Sequence, residues 1–103
     1  MPDSARFDEV IHPSTRLTLV ATLDAADWAE FGYLKDHLGL SDSALSKQLA
    51  VLESAGYLHT ERRLEGSRHK LRARLTDAGR RAYRGHIAAL NDIVAGRLRE
   101  PLS

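Results

Sequence analysis

The stretch GLSDSALSKQLAVLESAGYL, residues 39–58, decides the fold. Ser41 is a candidate helix N-cap, and Gly56 is a typical stop signal. Between them one apolar stripe recurs at helical spacing: Leu45, Leu49 and Leu52. The pattern predicts a helix over about residues 42–55. Its opposite, outward face carries small, polar or basic side chains: Ser43, Ser46, Lys47, Ala50 and Ser54.

A second helix is predicted directly upstream, over about residues 28–38. Asp27 and Glu30 have the spacing of a capping box. Apolar residues at helical spacing follow them: Phe31, Leu34 and Leu38. The tight connection over residues 39–41 joins this helix to the next one, and two helices joined in this way form a helix-turn-helix over about residues 28–55.

Beyond Gly56 the sequence period changes from about 3.6 to 2. Basic and apolar residues alternate at its clearest point: Lys70, Leu71, Arg72, Ala73, Arg74 and Leu75. This alternation predicts a strand with one apolar and one basic face. A partner strand at about residues 57–64 and a turn at residues 65–68 complete a two-stranded ribbon over about residues 57–75.

Two further helices flank this unit. Residues 14–23 follow Pro13 and are apolar on nearly every face, which favours cover from a second copy of the chain. Thr76 is expected to cap a helix over about residues 77–99 that ends near Pro101. We expect Tyr83, on its apolar stripe, to serve the subunit's own core. The outer stripe and helix one are predicted to form a two-fold interface: Leu19, Ile87, Leu90, Val94 and Leu98.

The charge is distributed unevenly along the 103 residues, although the net charge is only +1. Residues 1–60 hold four Lys and Arg against nine Asp and Glu, whereas residues 61–84 hold nine against three. The positive charge is therefore concentrated on the predicted ribbon, directly after the helix-turn-helix. A local positive field of this kind is typical of nucleic-acid binding.

Motifs for catalysis and metal binding are missing from the sequence. The chain has no cysteine, no G-x-S-x-G turn and no Gly-rich phosphate loop. Its five histidines lack the spacing of a metal site, and His86 is expected to be an ordinary packed histidine rather than a group that tunes an interface with pH. We therefore predict no enzyme activity, no cofactor and no metal. The sequence has no long apolar run and no signal-peptide pattern, which predicts a cytoplasmic protein.

Two blocks, LSKQLAVLESAGYL at residues 45–58 and LTDAGR at residues 75–80, carry a family resemblance. Together with the order of elements they make residues 7–100 similar to bacterial MarR-like winged-helix transcriptional regulators, most of all to the small single-domain members. The resemblance implies an α+β, mainly α fold in one domain over residues 1–103: a winged helix-turn-helix with a two-stranded β wing and a long C-terminal dimerisation helix.

The resemblance also implies a homodimer that binds double-stranded DNA at a near-palindromic operator. The matching positions on helix three are Ser41, Ser43, Ser46, Lys47 and Gln48, and those on the wing are Arg63, Ser67, Arg68 and Lys70. From the residues themselves we add His69 and Arg72 as candidate phosphate or groove contacts. Gln48 lies at the flank of the helix, where it either reads an adenine or caps the core.

Two questions stay open at the level of sequence. Larger MarR-like proteins frame an effector cavity with longer terminal helices, so whether a small molecule controls this chain is unknown. The alternative function is a winged-helix module for protein–protein interaction that does not bind DNA, because a fold alone does not fix a function. The basic charge of the ribbon argues against that alternative.

Overall fold

A computed structural model describes residues 5–96, which form four helices and three strands in the order helix, strand, helix, helix, strand, strand, helix. The helices are α1 (Ser14–Asp24), α2 (Phe31–Leu38), α3 (Asp42–Ser54) and α4 (Asp77–Val94), and the strands are β1 (Ala29–Glu30), β2 (Leu58–Glu65) and β3 (Arg68–Leu75). Helices α2 and α3 form the predicted helix-turn-helix, and β2 and β3 form the predicted ribbon. The α+β, mainly α winged-helix fold is thereby confirmed.

The sheet has three antiparallel strands in the order β1-β3-β2, one more than predicted. β2 and β3 pair along their whole length, from Leu58 opposite Leu75 to Glu65 opposite Arg68. The additional strand β1 is only two residues long and pairs with the free edge of β3. This pairing holds the residues just before α2 next to the base of the ribbon.

Strand β1 also corrects the predicted start of α2. The helix begins at Phe31 rather than at residue 28, and the N-cap residue Glu30 has an extended backbone with no side-chain cap hydrogen bond. The reason is that Ala29 and Glu30 pair with β3, and the Ala29 side chain is buried. The capping box of Asp27 and Glu30 is therefore wrong.

Helix α1 lies inside its own subunit more fully than its sequence indicated. Leu19, Val20 and Leu23 are fully buried, together with leucines from α2 and α3. Its exposed side carries Thr18 and Thr22, whose hydroxyls donate to backbone carbonyls one turn earlier. Leu19 has no surface left for a partner, so the prediction that it belongs to a dimer interface is wrong.

Helix α4 begins as predicted and ends earlier. The Thr76 hydroxyl oxygen accepts from the Gly79 N–H at 3.0 Å and donates to the Gly56 carbonyl at 2.7 Å. Gly79 lies so close to the Tyr57 carbonyl that a Cβ at this position would overlap it. At the other end, Gly96 has φ 75°, a left-handed conformation that stops the helix after Val94. Residues 97–99 of the predicted helix, including Leu98, lie outside the described residues.

Candidate nucleic-acid interface

The outward face of α3 is the first part of the candidate interface. Leu45, Leu49 and Leu52 are buried beneath the helix. The opposite face is exposed along its length and carries Ser43, Ser46, Lys47, Ala50 and Ser54. The leucine spacing correctly predicted this orientation. No long side chain other than Lys47 stands on this face, so α3 can approach another surface closely.

The N-terminus of α3 is fixed by two local contacts. The Ser41 hydroxyl accepts from the Ala44 N–H at 3.1 Å and lies 3.4 Å from the Ser43 hydroxyl. Lys35 of α2 pairs with Asp42 at 2.9 Å, and the hydrogen bond to Asp42 raises the pKa of Lys35 above its ordinary value. Ser41 is thus a helix cap, and its hydroxyl hydrogen, which the cap does not use, can donate to Ser43 or to another acceptor.

Gln48, at the flank of α3, is held by a residue from α1. Its side-chain oxygen accepts from the Arg16 guanidinium at 2.9 Å, and Arg16 also donates to the Val10 carbonyl at 2.5 Å. Arginine can only donate, so the oxygen of the Gln48 amide faces Arg16 and the NH₂ group remains as a donor. A bidentate contact to adenine uses both atoms of the amide, so it would require Gln48 to leave Arg16.

The register of the ribbon distributes its charge over two faces. Leu58 and Leu75 face each other on the buried side, and residues directly opposite share a face. Alternation therefore places Arg63, Glu65, Arg68 and Lys70 together on the outer face. The inner face beyond the core carries Arg62, exposed Leu64 and His69. The tip, with exposed Ser67, presents positive charge on both of its sides.

Two of the wing residues predicted to contact DNA, Lys70 and Arg72, interact with other side chains of the protein. Lys70 lies 3.3 Å from Glu65 and 3.8 Å from Glu30. Arg72 donates to Glu61 at 2.8 Å, and its guanidinium lies 3.8 Å from the centre of the Trp28 ring. The Arg72 side chain is only 22% exposed, so its role in this arrangement is structural.

The arginines near the tip of the wing form no ion pair within residues 5–96. Arg62, Arg63 and Arg68 are exposed, and none of them forms an ion pair there. His69 is also exposed. The ribbon thus divides into a paired base around Trp28 and an unpaired basic tip. Contacts such as Arg16 with Gln48 and Trp28 with Arg72 were not predicted, because their partners are 32 and more residues apart and no local pattern signals them.

The outer stripe of α4 becomes progressively more exposed toward the end of the helix. Tyr83 packs against the core, as expected, and Ile87 and Leu90 are half-buried. Ile93 is 48% exposed and Val94 87% exposed, so two adjacent aliphatic side chains face solvent at the end of the helix. Ile93 was not among the predicted interface residues.

Within residues 5–96, no group of three or more His, Asp or Glu side chains is placed to hold a metal ion. None of the described helices is long and apolar enough to cross a membrane.

Comparison with known proteins agrees with this geometry. An uncharacterized protein of Methanocaldococcus jannaschii is 30% identical over 79 residues, which cover 77% of this chain and 86% of that protein. The structure of a transcriptional regulator homologue from Pyrococcus horikoshii superposes with a TM-score of 0.81 at 21% identity, over 89% of this chain and 91% of that one. The transcriptional repressor BigR from Xylella fastidiosa is 28% identical, with a TM-score of 0.56 over 89% of this chain and 83% of that one.

Residues 15–94 also match the family described as winged helix DNA-binding domain. That match spans the helix-turn-helix, the ribbon and α4, which is most of the chain. The chain therefore belongs to the winged-helix DNA-binding domain family, and its fold is that of a MarR-like transcriptional regulator.

Proposed function

We propose that this protein is a sequence-specific regulator of transcription that binds a near-palindromic operator in double-stranded DNA as a homodimer. The observation that carries the proposal is the exposed face of α3, which combines small side chains, serine hydroxyls and one lysine, in a chain whose ribbon also has an exposed basic tip. Such a regulator works on chromosomal DNA, which places it in the cytoplasm.

Helix α3 reads bases in this proposal. The major groove of B-DNA is about 12 Å wide and admits a helix whose outer side chains are short. Ser43 and Ser46 supply hydroxyls that reach base edges, and Lys47 reaches a guanine or a phosphate. Ser41, at the cap, is positioned for a backbone phosphate. Gln48 contributes chiefly by holding Arg16, and its NH₂ group is available as a single donor.

The wing supplies affinity. Arg63 and Arg68 extend from the outer face of the tip, and His69 lies on the other face. Unpaired arginines at a hairpin tip are suited to phosphates and to a narrow minor groove. The turn residue Ser67 allows the tip to approach the sugar-phosphate backbone closely. Lys70 is partly neutralised by Glu30 and Glu65, so its contribution is smaller.

Two features support dimerisation: one recognition helix contacts only a few base pairs, and α4 carries an apolar stripe. One helix in one groove reads only a few base pairs, and symmetric half-sites need two such helices about one turn apart. Ile87, Leu90, Ile93 and Val94 offer an apolar surface toward the outer end of α4, which the rest of residues 5–96 covers only in part at Ile87 and Leu90 and leaves exposed at Ile93 and Val94. A two-fold interface along this stripe buries it in both copies.

Duplex binding at two salt concentrations tests the proposal. A labelled duplex of random sequence is titrated with the full chain at about 50 and 200 mM salt, where several phosphate contacts reduce affinity by orders of magnitude. Strong, salt-dependent binding supports the regulator. The absence of binding at either concentration would instead favour a winged-helix module that binds another protein.

A further inference from the structure

An N-terminal strap, defined as residues 6–12, crosses α4 and reaches the base of the ribbon. The Arg6 N–H donates to the Gly85 carbonyl at 2.9 Å, and the Asp8 N–H donates to Nδ1 of His86 at 2.9 Å. The Tyr57 hydroxyl donates to the Asp8 carboxylate at 2.5 Å. These bonds tie three distant parts of the chain together, and the proposed DNA interface uses none of them.

His86 stands at the centre of the strap's attachment. It is 0% exposed, and it is the one buried polar or charged side chain within residues 5–96. Its ring meets Phe7 edge-on, with ring centres 4.8 Å apart, and His12 at 5.3 Å. Nε2 of His86 lies 3.4 Å from Nδ1 of His12. Both ring nitrogens of His86 therefore face a partner on the strap.

The donors and acceptors around His86 require a neutral ring. A backbone N–H can only donate, so Nδ1 of His86 accepts from Asp8 and carries no hydrogen. The ring hydrogen of neutral His86 is then on Nε2, where it points to an unprotonated Nδ1 of His12. A proton added at His86 Nδ1 would face the Asp8 N–H, and one added at His12 Nδ1 would face the His86 Nε2–H. Either proton sets two donors against each other.

The surroundings of His86 shift its pKa in both directions. Burial is the largest cause that lowers the pKa of His86, and His12 lowers it further, whereas Asp8 and Glu9 raise it. The Asp8 carboxylate is already occupied by the Tyr57 hydroxyl and by the N–H groups of Val10 and Ile11.

The neighbouring elements bring two more groups to the strap. Arg16 of α1 donates to the Val10 carbonyl. The Tyr57 hydroxyl keeps its proton, since the hydrogen bond to Asp8 raises its pKa. The net direction at His86 favours the neutral ring. His12 is exposed, which gives solvent protons access to the pair.

We propose that His86, in contact with His12, is the centre of a proton-operated latch: the strap is docked on α4 while the buried His86 ring is neutral, and protonation of His86 releases it. The docked state binds fewer protons than the released state, so docking is fully stable above the ordinary histidine pKa of about 6.5 and weakens as the pH falls below it. One proton taken up on release increases the released-to-docked ratio by up to about tenfold per pH unit.

The latch also reaches α3. Release of the strap removes the Val10 carbonyl from Arg16, the residue that holds Gln48. This last consequence rests on the proposed function, whereas the latch itself does not. Its tests therefore use the full chain without DNA, so that a failure of DNA binding and a failure of the latch are separate results.

Amide hydrogen exchange of the wild-type chain between pH 8 and pH 5 tests the latch. We expect the protection factor of the Asp8 amide to fall by up to about tenfold per pH unit below 6.5, while the Leu49 amide in the core of α3 keeps its protection. NMR at pH 8 should find His86 as the Nε2–H tautomer. Constant protection of Asp8, a parallel loss at Leu49, or the Nδ1–H tautomer would each overturn the latch.

A pair of variants isolates the titrating group. In His86→Asn the side-chain oxygen can still accept from the Asp8 N–H but does not titrate, so the Asp8 profile should become flat. In His37→Gln a histidine that stacks on Tyr33 and takes no part in the strap's hydrogen bonds described above is replaced, so the profile should match the wild type. A wild-type profile in His86→Asn would overturn the proposal. The wild-type measurements decide the matter on their own where His86→Asn does not fold.

Discussion

Replacing Arg68 with alanine tests whether the wing tip contacts phosphates. Arg68 is exposed at the first position of β3, and no ion pair within residues 5–96 neutralises it. Each phosphate contact contributes about 0.9 to the slope of log K against log salt, so the loss of one contact per subunit lowers the slope of a dimer by about 1.8. The affinity gap between wild type and Arg68→Ala should then be about tenfold larger at 50 mM than at 200 mM salt.

Fluorescence anisotropy with a labelled duplex measures both affinities, and Lys70→Ala is the matched control. Lys70 lies two residues further along the same face, but Glu30 and Glu65 already compensate its charge. Its removal should reduce the slope by clearly less than the removal of Arg68. An unchanged slope in Arg68→Ala, or a larger change in Lys70→Ala, would refute the assignment of the free cations to DNA.

Three further substitutions test the other parts of the account. Lys47→Ala should change the preferred DNA sequence, at a cost of about 1 to 3 kcal/mol on the best site if the lysine contacts guanine, and equal losses on all duplexes would make it a phosphate contact. Val94→Asp should convert a dimer into a monomer in light scattering, because a charge at a buried apolar interface costs several kcal/mol; a wild-type chain that is monomeric at tens of micromolar would contradict the interface. Gly79→Ala should lower the free energy of unfolding in urea by about 3 kcal/mol, since its Cβ would overlap the Tyr57 carbonyl, whereas Gly32→Ala, at a helical position with open space around it, should raise that free energy by up to about 1 kcal/mol.

Local signals in the sequence predicted the centre of the fold well. The cap at Ser41 and the leucine stripe of α3 act within the helix itself, and the alternation over residues 70–75 describes one strand and its two faces. Their outcomes therefore agree closely with the structure. The N-cap at Thr76 is a further local signal, confirmed by its bond to the Gly79 N–H.

Contacts between distant residues account for what the sequence could not predict. Strand β1 exists because Ala29 and Glu30 pair with β3, more than 40 residues later, and this pairing displaces the start of α2. Arg72 looks like a free cation in the sequence, but Trp28 and Glu61 occupy it in the fold. In both cases a local pattern was present and a tertiary contact replaced it.

Tertiary structure also decides where α4 ends and what buries α1, and neither could be predicted from local patterns in the sequence. Gly96 stops α4 through its left-handed backbone, although a helical stripe in the sequence continues past it. The apolar circumference of α1 suggested a second copy of the chain, yet the subunit's own core buries Leu19 completely. Exposed aliphatic side chains that the proposed dimer would bury lie on α4 instead, at Ile93 and Val94.

Selection of binding sites from a random duplex library is the most direct test of the central claim, that paired copies of α3 read a symmetric operator. The wild-type chain should enrich an inverted repeat whose half-site centres lie about one helical turn, roughly 34 Å, apart. Within each half-site, Lys47→Ala should change the preference at a small number of neighbouring base pairs. Enrichment of a single unrepeated motif, or of no motif at all, would contradict the claim.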